Sequence, residues 1–193
     1  SMKPRAMAKL AQYPRLFDAK KLLADAGYPN GVEFTLDCPN NRYVNDEEVC
    51  QAVVNMWAKI GVKAKLNAIN FGPFIAKVQN FDTSAYLLGW GVATYDAQYS
   101  LQSLVMTRTQ GADGSFNFSK ISNARVDTLV EAMKTELDKN KRDGMIKEAL
   151  TITRDEMLYI PLHHQMRPWA MKKNVTMTHD SNDAPKMKWV TVN

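Results

Sequence analysis

The chain has 193 residues, 45% of them hydrophobic and 23% charged, a composition typical of a globular domain large enough to bury its own core. Its 25 basic and 20 acidic side chains leave a net charge of +5. The basic residues are scattered among acids rather than gathered in a stripe with interleaved aromatics, so no nucleic-acid partner is expected. The apolar runs, such as Ala52–Val54 and Tyr86–Leu88, fall far short of the roughly 20 residues of a membrane span.

Leu16, Ala19, Leu22, Leu23 and Ala26 recur at helical spacing, and Gly27 stops the pattern. After the turn Tyr28-Pro29-Asn30-Gly31, alternation of Val32, Phe34 and Leu36 predicts a strand to about Asp37, followed by the polar loop 39–43. Asn45 or Asp46 is placed to cap a helix with Val49, Val53, Met56, Trp57 and Ile60 as its apolar face and Gly61 at its C-terminus. A second strand is predicted over 62–69, a short helix around Phe71, Phe74, Ile75 and Val78, and a third strand over 83–90.

Beyond it, 100–105 reads as a short helical piece. Ser122 is placed to cap a helix through Val126, Leu129, Val130, Met133 and Leu137. Asp138 is placed to cap another, with Ile146, Leu150, Ile152 and Met157 as candidates for burial. Strands are predicted over 159–163, 169–172 and 187–192. Strands alternating with helices imply an α/β fold with a mainly parallel sheet flanked by helices. In such sheets ligands sit at the carboxyl ends of the strands, which here carry Asn40–Tyr43, Asn70-Phe71 and Trp90–Asp96.

Chemistry-bearing motifs are missing from the sequence. Gly89-Trp90-Gly91 lacks the third glycine and the helix start of a dinucleotide loop, and there is no Gly-x-Ser-x-Gly elbow. His163 and His164 are neighbours on a predicted strand and point to opposite faces, and His179 stands apart. No catalytic residues, no metal ligands and no cofactor are therefore expected. Cys38 and Cys50 have two readings, a pair of unrelated buried thiols or a disulfide tying a loop to a helix start.

Five segments in order resemble the family-5 extracellular solute-binding proteins, which include the periplasmic dipeptide-, oligopeptide- and nickel-binding proteins. They are Ala19–Gly31, Trp57–Leu66, Leu88–Gly91 with Asp96, Phe118–Leu129, and Tyr159–His163. Members of that family have two lobes that close on a ligand. The resemblance implies that residues 16–177 form the C-terminal lobe, that 178–193 return to an N-terminal lobe, and that 1–15, opening on the tag remnant Ser1-Met2, are a lead-in.

The same resemblance implies a binding protein rather than an enzyme, located in the periplasm or outside the cell. It would capture a peptide or other small solute and deliver it to the membrane permease subunits of an ABC importer. The alternative is a receptor or chaperone-like module that presents its solute without import.

The resemblance also implies that the stretch after Gly-Trp lines the cleft, so Trp90, Gly91, Val92, Tyr95 and Asp96 are candidate ligand residues, with Arg42 and Tyr43 on the same rim. Peptide-binding members hold the α-amino group with an acid three positions after the tryptophan, where this sequence has Ala93. Asp96 has two readings, an Asx-type turn organiser or a polar ligand contact. Trp90 is either core packing at a strand end or a flat ligand surface, and Arg42 either a solvated loop residue or a bidentate partner for a carboxylate.

Overall fold

The computed structural model describes residues 16–92, 94–166, 169–178 and 186–193. The lead-in 1–15, Ala93 and His179 lie outside the described residues. Elements run α1 (Leu16–Asp25), β1 (Val32–Pro39), α2 (Asp46–Ala58), β2 (Val62–Ile69), α3 (Phe71–Gln79), β3 (Ala85–Tyr86), α4 (Ala97–Ser100), a π-helical turn (Leu101–Val105), α5 (Ala124–Met133), α6 (Lys139–Asp155), β4 (Val175–Met177) and, after a 3-10 turn (Met187–Trp189), β5 (Val190–Val192).

β1 is the central strand of a parallel sheet with order β2-β1-β3. It pairs with β2 over eight residues, from Val32 opposite Val62 to Pro39 opposite Ile69, and with β3 through Leu36 opposite Ala85 and Asp37 opposite Tyr86. Side chains alternate between the faces of a strand, and here each face receives a different helix. Leu36, Cys38, Ala64, Leu66, Ala85 and Leu87 meet Cys50, Val53, Val54 and Trp57 of α2. Ile69, Tyr86 and Leu88 on the other face meet Phe74 and Val78 of α3, and Phe118 closes that cluster. The α/β reading with a parallel sheet between helices is thus the observed fold. A second apolar core joins the π-helical turn to α5 and α6 through Leu101, Val105, Val126, Leu129, Val130, Met133 and Ala149.

Several expectations are corrected. The third strand pairs over Ala85–Tyr86, with one further bond from Leu87 N–H to the Asp37 carbonyl, instead of over 83–90. Thr83 donates its hydroxyl to Asp37 and to the Ala85 carbonyl instead of joining the ladder, and Gly89 lies against the Tyr43 ring. Residues 159–163 form no strand. Tyr159 turns inward and donates its hydroxyl to the Leu104 carbonyl at 2.8 Å, Pro161 has no N–H to give a ladder, and Ile160 and Leu162 are exposed.

Residues 169–172 are not a strand either. The late pairing is antiparallel, β4 against β5, and Met187–Trp189 coil into a 3-10 turn before β5. Met56, Leu137 and Leu150 are exposed rather than buried. Cys50, Val53, Val54 and Trp57 already cover the sheet, α5 ends at Met133 before Leu137 is reached, and α6 buries Ala149 instead. Asn123, not Ser122, caps α5, its Oδ1 accepting from Arg125 and Val126 N–H. Asp138 does cap α6, accepting from Lys141 N–H at 3.0 Å.

Candidate ligand-binding site at the sheet rim

The rim is built from loops that leave the carboxyl ends of β1, β2 and β3. Asp46 shapes the first of them. It is buried, and its Oδ2 accepts from the N–H groups of Arg42 and Tyr43 at 2.9 and 3.0 Å while Oδ1 accepts from Glu47 N–H. Asn45, the residue at the N-cap of α2, has φ 55° and makes no capping bond with its side chain. A disulfide between Cys38 and Cys50, both buried, ties the end of β1 to the first turns of α2 and so closes the loop from outside.

Asn41 Oδ1 accepts from Phe71 N–H at 2.8 Å, which joins this loop to the start of α3. The Arg42 guanidinium lies 5.2 Å from the centre of the Phe71 ring and 5.7 Å from that of Tyr43. Among the described residues it has no carboxylate partner. Cation–π contacts hold a guanidinium in place without neutralising it. The Tyr43 ring rests on Gly89, where an added Cβ would come within 2.7 Å of the ring, and its hydroxyl points at the Gly89 carbonyl, 3.4 Å away. Only a residue without a side chain admits this approach.

Trp90 follows directly. It stacks on Tyr99 with ring centres 5.4 Å apart and planes 26° apart, meets Phe116 edge-on at 5.1 Å, and donates its indole N–H to Ser100 Oγ at 3.2 Å. Aromatic contact continues inward from Phe116 to Phe118 and Tyr86. Trp90 is half-buried, so core packing and an accessible face coexist in one side chain. Gly91 and Tyr95 are exposed, and Val92 is half-buried with its carbonyl accepting from Tyr95 N–H. Ala93, the position that decides amine binding in the resembling peptide binders, is outside the described residues.

Asp96 spends its carboxylate on structure. Oδ1 accepts from Gln98 N–H at 2.8 Å, capping α4, and the two oxygens receive Nη2 and Nη1 of Arg142 at 2.9 and 2.8 Å. The Arg142 hydrogen bond holds the Asp96 carboxyl below the usual range, against the opposing effect of desolvation. Asp113 is lowered by hydrogen bonding from Gln102 and then by Lys134, and Glu148 by Arg125. A carboxyl depressed by folding contributes stability that is present above its unfolded value of roughly 4 and lost as pH falls through the lower folded value. Stability is therefore expected to hold down to about pH 4 and to fall below it. Urea titrations from pH 7 to 2 check this, and Asp96→Asn is expected to flatten part of that acid limb. An unchanged limb would show that Asp96 titrates alike in the folded and unfolded chain.

Sequence reasoning placed Arg42, Tyr43 and Trp90 on one rim, and the structure brings them together through Gly89. It set Phe71 at the end of the second strand without giving it a role, and it missed Phe116. Phe116 lies in a stretch without periodicity. The shallow depression along α6, lined by Ile146, Leu150 and Arg154, belongs to one helix and shares no lining residue with this rim. Among the described residues no group of three acidic, His or Cys side chains is placed to hold a metal, and no helix is long and apolar enough to cross a membrane.

Residues 4–112 match the family profile of the bacterial extracellular solute-binding proteins, family 5, middle segment. The chain belongs to this family. Among curated relatives, the di/tripeptide-binding protein 1 of Pseudomonas aeruginosa is 32% identical over 86% of this chain and 30% of its own length. The glutathione-binding protein GsiB of Salmonella typhimurium is 32% identical over 82% of this chain and 31% of its own. The chain thus spans about a third of the length of the relatives it matches.

Solved structures of the same fold include HbpA2 from Haemophilus parasuis, with a TM-score of 0.77 at 24% identity over 93% of this chain and 36% of that one. A dipeptide-binding protein from Pseudoalteromonas in complex with Met-Leu gives 0.77 at 21% identity, over 91% and 35%. The family and these relatives are binding proteins, not enzymes, and the family is described as extracellular.

Proposed function

We propose that this chain forms the C-terminal lobe of a two-lobe solute-binding protein, in which the rim supplies one wall of a ligand-enclosing cleft that serves an ABC importer from the periplasm. The observation that carries the reading is Arg42. It is a guanidinium held between two rings at the carboxyl end of a parallel sheet, with no carboxylate opposite it among the described residues. Such a group suits the carboxylate of a small solute or peptide, which it would bind with paired N–H donors. The relatives' names agree with this chemistry, since di- and tripeptides and glutathione all carry carboxylates.

On this reading Trp90, with Gly91, Val92 and Tyr95 beside it, offers the apolar surface against which the ligand lies, and Tyr43 borders the carboxylate end. Ala93 leaves the position of the amine-anchoring acid without a charge, so the amino group of a peptide ligand would be held elsewhere. Ile160, Leu162, Met166, Trp169, Met171 and Trp189 are large, apolar and exposed. They suit a surface that the remaining lobe covers, with 178–193 returning to it. The membrane permease subunits are the further partners.

The first test is native mass spectrometry of the full-length protein purified without denaturation. It is expected to retain a small anionic ligand, either as a ladder of peptide masses or as a single non-peptide mass. With that ligand in calorimetry, Arg42→Gln is expected to weaken binding about tenfold to a hundredfold, the contribution of a charge-assisted pair. Unchanged affinity in Arg42→Gln would remove the observation on which the reading rests.

A further inference from the structure

The wall made by Trp90 and Tyr99 has an unusual support. Tyr99 and Ser100, which stack on Trp90 and accept its indole N–H, belong to α4, a helix of four residues. α4 runs directly into the π-helical turn, whose Leu101 and Val105 are buried in the second core, so its C-terminal end is held there and its N-terminal end needs a fastening of its own. Its N-terminus is fastened by Asp96, whose carboxylate accepts from Gln98 N–H and whose carbonyl accepts from Tyr99 N–H at 3.2 Å.

Asp96 in turn is fixed from 46 residues away. Arg142 of α6 grips both carboxylate oxygens with two nitrogens, while its Nε–H donates to the Met133 carbonyl at the end of α5 at 3.3 Å. The guanidinium is thereby oriented by the second apolar core and points its fork at the cap of α4. Besides Arg142, the charged neighbour acting on this pair is Asp143 beside it on α6.

We propose that Arg142 is a positioning residue for the binding wall, setting the height and tilt of Trp90 through Asp96 and the short helix that carries Tyr99 and Ser100. The inference rests on the reading of the rim as a ligand site for its purpose, but its geometry stands independently of any ligand. A lysine at 142 would keep the charge without the fork, so it would not reproduce two parallel bonds to one carboxylate.

The test uses Trp90 as its own reporter. The near-ultraviolet circular dichroism and acrylamide-quenched emission that disappear in Trp90→Phe define the Trp90 component. Trp57, packed edge-on against Phe34 within the α2–sheet layer, serves with Trp169 and Trp189 as the internal control. Arg142→Met is expected to lose the Trp90 dichroic component and to make Trp90 several-fold more accessible to acrylamide, with the combined signal of the other three tryptophans unchanged. Asp96→Asn is expected to do the same, and the double variant to add nothing. Arg142→Lys, in which the fold is kept by the retained charge and stem, is expected to show the same loss and covers the case in which the methionine variant does not fold.

A full Trp90 component in the lysine and asparagine variants, or losses that add in the double variant, would overturn the proposal. Affinity for the retained ligand, measured on the same folded variants, bears on the other reading alone. A lost Trp90 signature with unchanged affinity would uphold the positioning role and sink the placing of the ligand on this wall.

Discussion

Asp37→Ala is expected to destabilise the folded chain by roughly 3–5 kcal/mol, the cost of removing one partner from a buried ion pair. Asp37 is completely buried on the α3 face of β1. Its Oδ1 accepts from Asn67 Nδ2 at 2.6 Å, and its Oδ2 accepts from Thr83 Oγ1 at 2.6 Å and from Lys77 Nζ at 3.3 Å. Four elements or connections meet in that one carboxylate: β1, β2, α3 and the turn before β3. Alanine takes the acceptor from the half-buried Asn67 amide, leaves the Thr83 hydroxyl only the Ala85 carbonyl, and leaves Lys77 only Asp82 as an acidic partner.

Desolvation pulls Lys77 downward, yet the hydrogen bond and charge of Asp37, with Asp82, outweigh it and raise its pKa above the ordinary lysine value. In the intact protein the ammonium is thus held in its charged form chiefly by the acid that alanine would remove. Stabilities of small domains are about 5–15 kcal/mol, so this single change takes a large share. Urea denaturation at pH 7 measures it. Asp37→Asn, which keeps the shape and one acceptor, is expected to lie between the two. A loss under about 1 kcal/mol for the alanine variant would mean that solvent enters the site and satisfies the orphaned donors.

Replacing both Cys38 and Cys50 with serine is expected to cost about 3 kcal/mol, because the unfolded chain regains the freedom of a loop spanning 12 positions. For a chain of this size that corresponds to a fall in Tm of roughly 6–12 °C. The serine pair is the right comparison, since both sulfurs are buried and a reductant reaches them only when the structure opens. The closed loop is the one that presents Arg42 and Tyr43, so affinity for the retained ligand is expected to fall along with stability. Asp46 ties the same loop from within and limits that second loss. A melting temperature unchanged within a degree or two would show that the native loop is strained by the bond as much as the unfolded chain is restrained by it.

Much of the sheet layer was legible because local signals decide it. Glycines after α1 and α2, the alternation in 32–37 and the β-rich run 62–69 lead directly to α1, β1, α2 and β2. Asp138 caps α6 as its type and position suggest. The third strand was over-read because alternation reports a side-chain pattern and is silent about whether a partner's hydrogen bonds are free to meet it. The same holds at 159–163, where Tyr159 found a carbonyl in the second core.

Trp90 became a candidate through the family resemblance, and Arg42 and Tyr43 through the rule that ligands gather at the carboxyl ends of parallel strands. Asp37 and Arg142 were not, since a buried acid on a strand and an arginine on a charged helix look like solvated residues until the chain closes on itself. Asp96 shows the same limit. Its turn-organising role rests on a partner 46 positions away that no local pattern reveals.

Gly31 and Gly61 sit at the end of the sheet opposite the rim, each with positive φ, and a Cβ on Gly31 would fall 2.0 Å from the Gly61 carbonyl oxygen. Their close approach starts β1 and β2 level with each other, and eight paired residues later the two strands finish level as well. The datum from which the rim loops are measured is thus laid down roughly 25 Å away from them, given the rise of an extended strand. For anyone altering what this protein recognises, a methyl group at Gly31 would drive the two strand starts apart and shift the working edge at their far end, whereas one at Gly61 would meet only ordinary contacts and strain its own backbone.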